Sequence, residues 1–227
     1  VSFTLDNDGI FGVDQDYTNG IFLSYATEKL REDKEWNWFT LNNNQNNVDK
    51  IEIVLGHKMF TPSQIEADYP LANERPYAGY LHTEINYISL TDDKAVRYNF
   101  TVGATGESSF SEKAQELVHG ITGSPDPKGW DYQIDDEIAF SVGYRAFNKL
   151  IRSEGEDTQW EITNVNDINA GNFRSDVSQG VMFRWGTDLA SSIGAANISV
   201  ESPFHASMLA KSSSSWFLFT GFEGRYL

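Results

Sequence analysis

Apolar and polar residues alternate with a period of two over long stretches of this chain. In the segment 94–106, Val96, Tyr98, Phe100, Val102 and Ala104 fall on one face, and Arg97, Asn99, Thr101, Gly103 and Thr105 on the other. Ile138, Phe140, Val142, Tyr144 and Ala146 repeat the pattern against Ala139, Ser141, Gly143 and Arg145. Tyr77, Gly79, Leu81, Thr83, Ile85 and Tyr87 alternate in the same way with Tyr80, His82, Glu84 and Asn86. These runs exceed the five or six residues of an ordinary globular strand. A soluble sandwich also alternates, but its strands are short and its apolar face is internal. Long strands, aromatic residues near their ends and a second face of small or polar residues predict a transmembrane barrel with lipid outside and a wet interior.

The pattern predicts an all-β, antiparallel fold with strands near 2–7, 17–29, 48–60, 77–92, 94–106, 135–150, 158–169, 174–186 and 214–226. Bacterial barrels close with an even number of strands. The odd number therefore leads us to expect a single barrel domain over 1–227 that is incomplete at its C-terminal side. Polar stretches at 31–50 and 152–157 read as loops, and the serines before Trp216 as a turn. One segment breaks the alternation. Residues 109–123, SFSEKAQELVHGITG, predict a short inserted helix: Ser109 or Ser111 can cap it, Ala114, Leu117, Val118 and Ile121 form its apolar stripe, and Gly120 or Gly123 can end it.

Charge narrows the choice of partners. Seventeen basic against thirty-three acidic residues give a net charge of −16, which argues against nucleic acid, whose binding requires a basic surface. No protein partner is implied. There is no cysteine, so thiol chemistry and disulfides are excluded. The mean hydropathy is −0.44, and no apolar run is long enough for a membrane-crossing helix. The start at Val1, with no initiator Met or leader pattern, fits a processed chain or an excerpt.

Among four histidines, His57 and His82 fall within strands and His205 in a loop, where hydrogen-bonded structural roles suffice. His119 differs. It closes the predicted helix four residues after Gln115, on the same face, and can act as a general base near neutral pH. The stretch DNDGIFGVDQDYTNG, residues 6–20, sets Asn7, Asp8, Asp14, Asp16 and Thr18 around two glycines at the junction of the first two strands. Such oxygens suit a hard divalent cation such as calcium, and they equally suit an acidic hairpin built on Asx turns. No Gly-x-Ser-x-Gly elbow is present, so water activated by His119 is the simpler nucleophile.

Taken together, DNDGIFGVDQDYTNGIFLSY, GHKMFTPS, ERPYAGYLHTEINY, EKAQELVHGITG and GWDYQI resemble, in order, the lipid A 3′-O-deacylase family of Gram-negative outer membranes. The resemblance covers about the first 145 residues; the later strands agree only in pattern. It implies a twelve-stranded outer-membrane barrel, with its final strands beyond Leu227, acting on lipid A or lipopolysaccharide as a calcium-dependent ester hydrolase. It further implies a site of Asn7, Asp8, Thr18 and His119, in which His119 activates water and the cation stabilises the oxyanion. Gln115 would support the histidine, and Arg75 would meet a lipid phosphate or else pair with Glu74. One position departs from the pattern: the family's Glu six residues after the histidine is here Pro125, with Asp126 beside it as the substitute that would join Asp8 on the metal. The competing expectations are a non-catalytic barrel in which His119 only packs, and a phospholipase acting on glycerophospholipids.

Overall fold

A computed structural model describes residues 1–7, 16–30, 39–41, 47–155, 157–198, 205–209 and 214–227; for Asn7 and Asp16 it describes the backbone alone. Nine strands are present among these residues: β1 (Ser2–Asn7), β2 (Asp16–Ala26), β3 (Val48–Thr61), β4 (Ala78–Leu90), β5 (Lys94–Thr105), β6 (Ile138–Arg152), β7 (Gln159–Gly171), β8 (Asp176–Gly186) and β9 (Phe217–Tyr226). They form one antiparallel sheet in which each strand pairs with its sequence neighbour, in the order β1 to β9. The register sets Asn7 opposite Asn19 in the β1–β2 pair and Val177 opposite Tyr226 in β8–β9. A shift between Lys149 and Ile151 interrupts the β6–β7 ladder. The single α-helix described, α1 (Ser111–Thr122), interrupts the run of strands between β5 and β6. No described helix is long and apolar enough to cross a membrane.

The faces of the strands are inverted relative to a water-soluble sheet. Along β8, Asp176, Ser178, Gly180, Met182, Arg184 and Gly186 are buried, while Val177, Val181, Phe183 and Trp185 are exposed. Arg184 is 0% exposed and Val177 53%. A half-solvated soluble sheet would bury the valine and expose the arginine. Here the outer medium is hydrocarbon and the alternation runs polar-in, apolar-out, as in an outer-membrane barrel.

Burying charge is tolerated because the inner face is satisfied internally. Arg184 donates to Glu161 Oε1 at 2.6 Å and to the carbonyls of Ser192 and Leu189 at 2.7 and 2.8 Å. Glu161 also accepts from Arg152 Nε at 2.6 Å and from the Thr163 hydroxyl at 2.7 Å. Arg145 bonds Asp167 at 2.5 Å.

The chain divides into two compact units. One contains Val1–Ser24, Val54–Glu84 and Thr101–Phe140. Its apolar centre is Met59, Ile65, Tyr77 and Trp130, with Ala114 of α1 packed against them. The other contains Tyr25–Ile53, Ile85–Phe100 and Ser141–Leu227. Its centre includes Ile88, Leu90, Phe147, Val165 and Met182 from strands, together with Ile193, Ala196 and Met208 from the connection between β8 and β9. Those three residues add apolar side chains to the buried centre of the unit.

Candidate functional site

In an antiparallel meander every second connection leaves from the same end of the sheet. The β1–β2, β3–β4 and β5–β6 connections therefore share one end, and all three belong to the first compact unit. There lie the described flanks of the 6–20 stretch, residues 6–7 and 16–20, with the ERPYAG segment that holds Arg75, and α1 with Gln115 and His119.

The helix is anchored by its polar face, the reverse of what its apolar stripe suggests. Ser111, Gln115 and His119, spaced by four residues, are buried, whereas Leu117 is 66% and Ile121 77% exposed. The reason lies in the partners. Ser111 Oγ bonds His57 Nε2 of β3 at 2.7 Å. Trp130 Nε1 donates to Gln115 Oε1 at 2.8 Å, and the Trp130 ring lies 4.7 Å from that of Tyr77, whose hydroxyl donates to the Ile65 carbonyl. Gly79 of β4 lets the helix approach the sheet: a Cβ there would fall 2.0 Å from Ser109 Oγ and 2.2 Å from Ser111 Oγ.

The expected caps also need correction. Neither serine caps the helix. The N-cap is Phe110, in left-handed backbone with φ 58° and no side-chain cap bond, because Ser109 instead donates to the Gly106 carbonyl at 2.6 Å and Ser111 is engaged by His57. At the other end Gly123, with φ 73°, donates its N–H to the His119 carbonyl at 2.8 Å. This is the left-handed termination that glycine provides.

That turn brings the following chain back over the histidine. His119 is 8% exposed, and its Nδ1 lies 2.6 Å from the Pro125 carbonyl oxygen. A carbonyl can only accept, so Nδ1 carries the proton, and in the neutral ring Nε2 is the basic nitrogen. Beside it, Gln115 has a fixed orientation. An indole N–H can only donate, so the amide oxygen faces Trp130. The Gln115 Nε2 donor is buried with no hydrogen-bond partner among the described residues. An unsatisfied buried donor of this kind calls for an acceptor.

Thr18 is 4% exposed and shares a 2.6 Å hydrogen bond with Thr61 at the end of β3, two residues beyond Met59 of the Trp130 cluster. Tyr17 donates to Asp6 Oδ2 at 3.1 Å, and its ring lies 5.5 Å from Phe60. Arg75 sits over that same Phe60 ring at 4.9 Å. Its sequence neighbour Glu74 turns to Ser63, accepting from the main-chain N–H and the hydroxyl, both at 2.7 Å. Those two bonds hold the Glu74 carboxylate below its ordinary pKa. Glu112, in the first turn of α1, is shifted up by desolvation and by the neighbouring Glu116, Asp131 and Glu107.

The structure thus brings His119, Gln115, Trp130 and the Pro125 carbonyl together, and sets Thr18 on Thr61. Asp8 and Asp14 lie outside the described residues, as does the side chain of Asn7. Asp126 is exposed. Among the described residues no group of three or more His, Cys, Asp or Glu side chains gathers as a metal site, so these residues alone do not make a cation shell. Sequence reasoning missed Thr61, Trp130 and the Pro125 carbonyl. Thr61 and Trp130 lie within the motifs GHKMFTPS and GWDYQI without a role being read for either, and Pro125 drew notice for its side chain rather than its carbonyl; a Cβ on Gly129 would meet the Tyr77 ring at 2.5 Å.

A family model described as outer membrane protein LpxR matches residues 1–227. Among solved structures, LpxR from Salmonella typhimurium aligns with a TM-score of 0.77 at 17% identity, covering 93% of this chain and 67% of that one. At that identity the likeness is one of fold. No curated protein sequence matches.

Proposed function

Because this chain belongs to the LpxR family of outer membrane proteins, we propose that it is an ester hydrolase of the outer membrane that removes the 3′-linked acyl or acyloxyacyl group from lipid A. The observation that carries this reading is the bond from His119 Nδ1 to the Pro125 carbonyl, which leaves Nε2 as the base on a buried helix face.

In the proposed reaction His119 Nε2 takes a proton from water as the water oxygen bonds to the ester carbonyl carbon. Collapse of the tetrahedral intermediate breaks the bond to the sugar oxygen, which receives the proton back from the imidazolium. The products are a free fatty acid and a sugar hydroxyl. Gln115 Nε2, a buried donor, would face the developing oxyanion or hold the water. Thr18 and Asn7 would orient the water, and Arg75 would meet a lipid phosphate. Asp8, with Asp126, would hold a divalent cation such as calcium, which when bound would polarise the ester carbonyl.

The buried apolar centre of the second unit weighs against a water-filled pore as the chain's purpose. A test is to incubate the refolded protein with purified lipid A, with calcium or with chelator, beside His119→Ala, and to follow products by mass spectrometry. Release of the 3′-linked acyl group that requires His119 and calcium supports the proposal. Unchanged lipid A with folded protein refutes it, and release of fatty acid from glycerophospholipids alone would make the protein a phospholipase.

A further inference from the structure

The inner face of the second unit carries a row of polar and charged residues in register from strand to strand. Arg145 of β6 stands opposite Asp167 of β7, Asp167 opposite Ser178 of β8, and Ser178 opposite Arg225 of β9. Arg97 of β5 joins them, close enough to act electrostatically on both Arg145 and Asp167. The row is walled on two sides. Phe147 and Val165, the next inward residues of β6 and β7, belong to the apolar centre. One step the other way the Asn99 and Asn169 amides lie over Gly143, where a Cβ would fall 2.1 and 2.5 Å from their oxygens.

The carboxylates do not match the arginines. Asp167 accepts from Arg145 at 2.5 Å and from Arg174 at 3.3 Å, and Asp176 accepts from Arg174 at 2.6 Å and from Arg225 at 2.9 Å. Glu223 accepts from Arg225 at 2.6 Å. Those carboxylates answer Arg145, Arg174 and Arg225. Arg97, half-buried, has neither a hydrogen bond nor an ion pair with any described residue, and a guanidinium cannot shed its charge. Two further groups in the row are open: Arg145 Nε and Ser178 Oγ are buried with no hydrogen-bond partner among the described residues, in residues 7% and 3% exposed. In a chain of net charge −16, a surplus cation beside two unsatisfied donors is a place for an anion. We propose that this row binds a phosphate-class oxyanion, supplied as free phosphate or by a lipid headgroup.

The chemistry of the open groups favours phosphate. Arg97 and Arg145 Nε can only donate and the Ser178 hydroxyl can do so, which excludes a cation. They stand on β5, β6 and β8, on both sides of Asp167. A carboxylate serves one guanidinium fork, whereas phosphate presents further oxygens on its other sides and accepts from several donors together. The apolar wall lowers the local dielectric and strengthens each of those bonds. Arg174 and Arg225, with side chains 31% and 28% exposed, reach solvent and give an anion its approach.

The test uses the full chain refolded in non-ionic detergent. Calorimetry measures the Kd for inorganic phosphate, and urea unfolding is compared in phosphate and in chloride at equal ionic strength. Phosphate should bind and raise the urea midpoint above that in chloride. Because phosphate also stabilises folded proteins generally by exclusion from their surface, variants set the baseline. Arg97→Gln and Ser178→Ala should each weaken phosphate binding at least tenfold. Arg97→Gln has a second signature: without phosphate its midpoint should equal or exceed that of the wild type, because the charge removed has no partner. A lower midpoint would mean that Arg97 is already paired within the protein and would overturn the proposal. No heat of binding with phosphate, or wild-type affinity in both variants, would overturn it as well. Competition then identifies the source. Displacement of phosphate by a phosphorylated glucosamine lipid, but not by its dephosphorylated form, assigns the site to a headgroup; displacement by neither assigns it to free phosphate, and either result upholds the site.

Discussion

His119 Nδ1 donates to the main-chain carbonyl of Pro125 at 2.6 Å. The resemblance read from the sequence implies a glutamate where this chain has proline, yet the group that meets the histidine is the backbone. Gly123, in left-handed conformation, ends α1 on the His119 carbonyl, and the turn it makes leads the chain to that position. The same residue is therefore held at its carbonyl by the helix termination and at its ring by the segment that follows.

If the carbonyl is what matters, the side chain at position 125 is replaceable. Pro125→Ala should leave lipid A deacylation within a few-fold of wild type, whereas His119→Ala should lower it by about a hundredfold to ten-thousandfold. Rates from mass spectrometry of released acyl groups compare the two. A fall in Pro125→Ala as deep as in His119→Ala would show that proline itself is required.

Gln115 is oriented by Trp130. Trp130→Phe keeps the ring's packing on Tyr77 but removes the only N–H of the indole, leaving Gln115 Oε1 buried and unpaired at about 1–3 kcal/mol. The amide is then free to turn. The expected result is a reduced kcat with little change in KM, and an unchanged kcat would remove Gln115 from the chemistry.

Gly79 is where α1 meets the sheet. Gly79→Val would drive a side chain into Ser109 and Ser111, an overpacking of about 1–3 kcal/mol that displaces the helix. Activity should drop at least tenfold, by about the 1.4 kcal/mol that a factor of ten represents, while the barrel retains its heat-modifiable mobility in electrophoresis. Wild-type activity in this variant would place the reacting groups away from α1.

Glu161 balances two arginines on the inner face. Glu161→Gln leaves Arg184, itself 0% exposed, with its charge uncompensated, a loss of about 3–5 kcal/mol for a buried pair. Urea unfolding in lipid vesicles measures it. A shift below about 1 kcal/mol would mean that the pair behaves as a solvated one.

Glu74 supplies a pH signature. Its folded-state pKa lies below the ordinary 4.5, chiefly because the Ser63 hydroxyl and then its N–H bind the carboxylate. The stabilisation is therefore present above pH 4.5 and is lost as pH falls through the depressed folded value. Hydrogen exchange across 62–77 should accelerate on acidification in the wild type. In Ser63→Ala exchange should already be faster above pH 4.5 and change less on acidification, and equal pH profiles in the two would disprove the link.

The strands were legible because their information is local. Val177, Val181, Phe183 and Trp185 announce their face by position alone, and all nine predicted strands are present with ends shifted by three residues or fewer. The helix was legible too, at Ser111–Thr122 against the expected 109–123. Its orientation was not, because an apolar stripe points to a protein core only when water lies outside. His57, Trp130 and the Pro125 carbonyl claim the polar face instead. The caps failed for a related reason: Ser109 and Ser111 each had a tertiary hydrogen bond that local capping rules do not contain. Thr61, forty-three residues from Thr18, carries no mark in sequence of the pairing.

A sheet whose every neighbour in space is its neighbour in sequence divides labour along the chain as well as across the fold. Every candidate for the chemistry, from Asn7 to Trp130, precedes β6, and the arginine and carboxylate ladders that begin with Arg145 follow its start. The candidate chemistry is thus written in one stretch of the polypeptide, whereas the frame draws on both sides of β6, since Ile88 and Leu90 pack with Phe147, Val165 and Met182. A chimera joined within β6 would carry the candidate site across whole, and would close its core only if Ile88 and Leu90 still matched Phe147, Val165 and Met182.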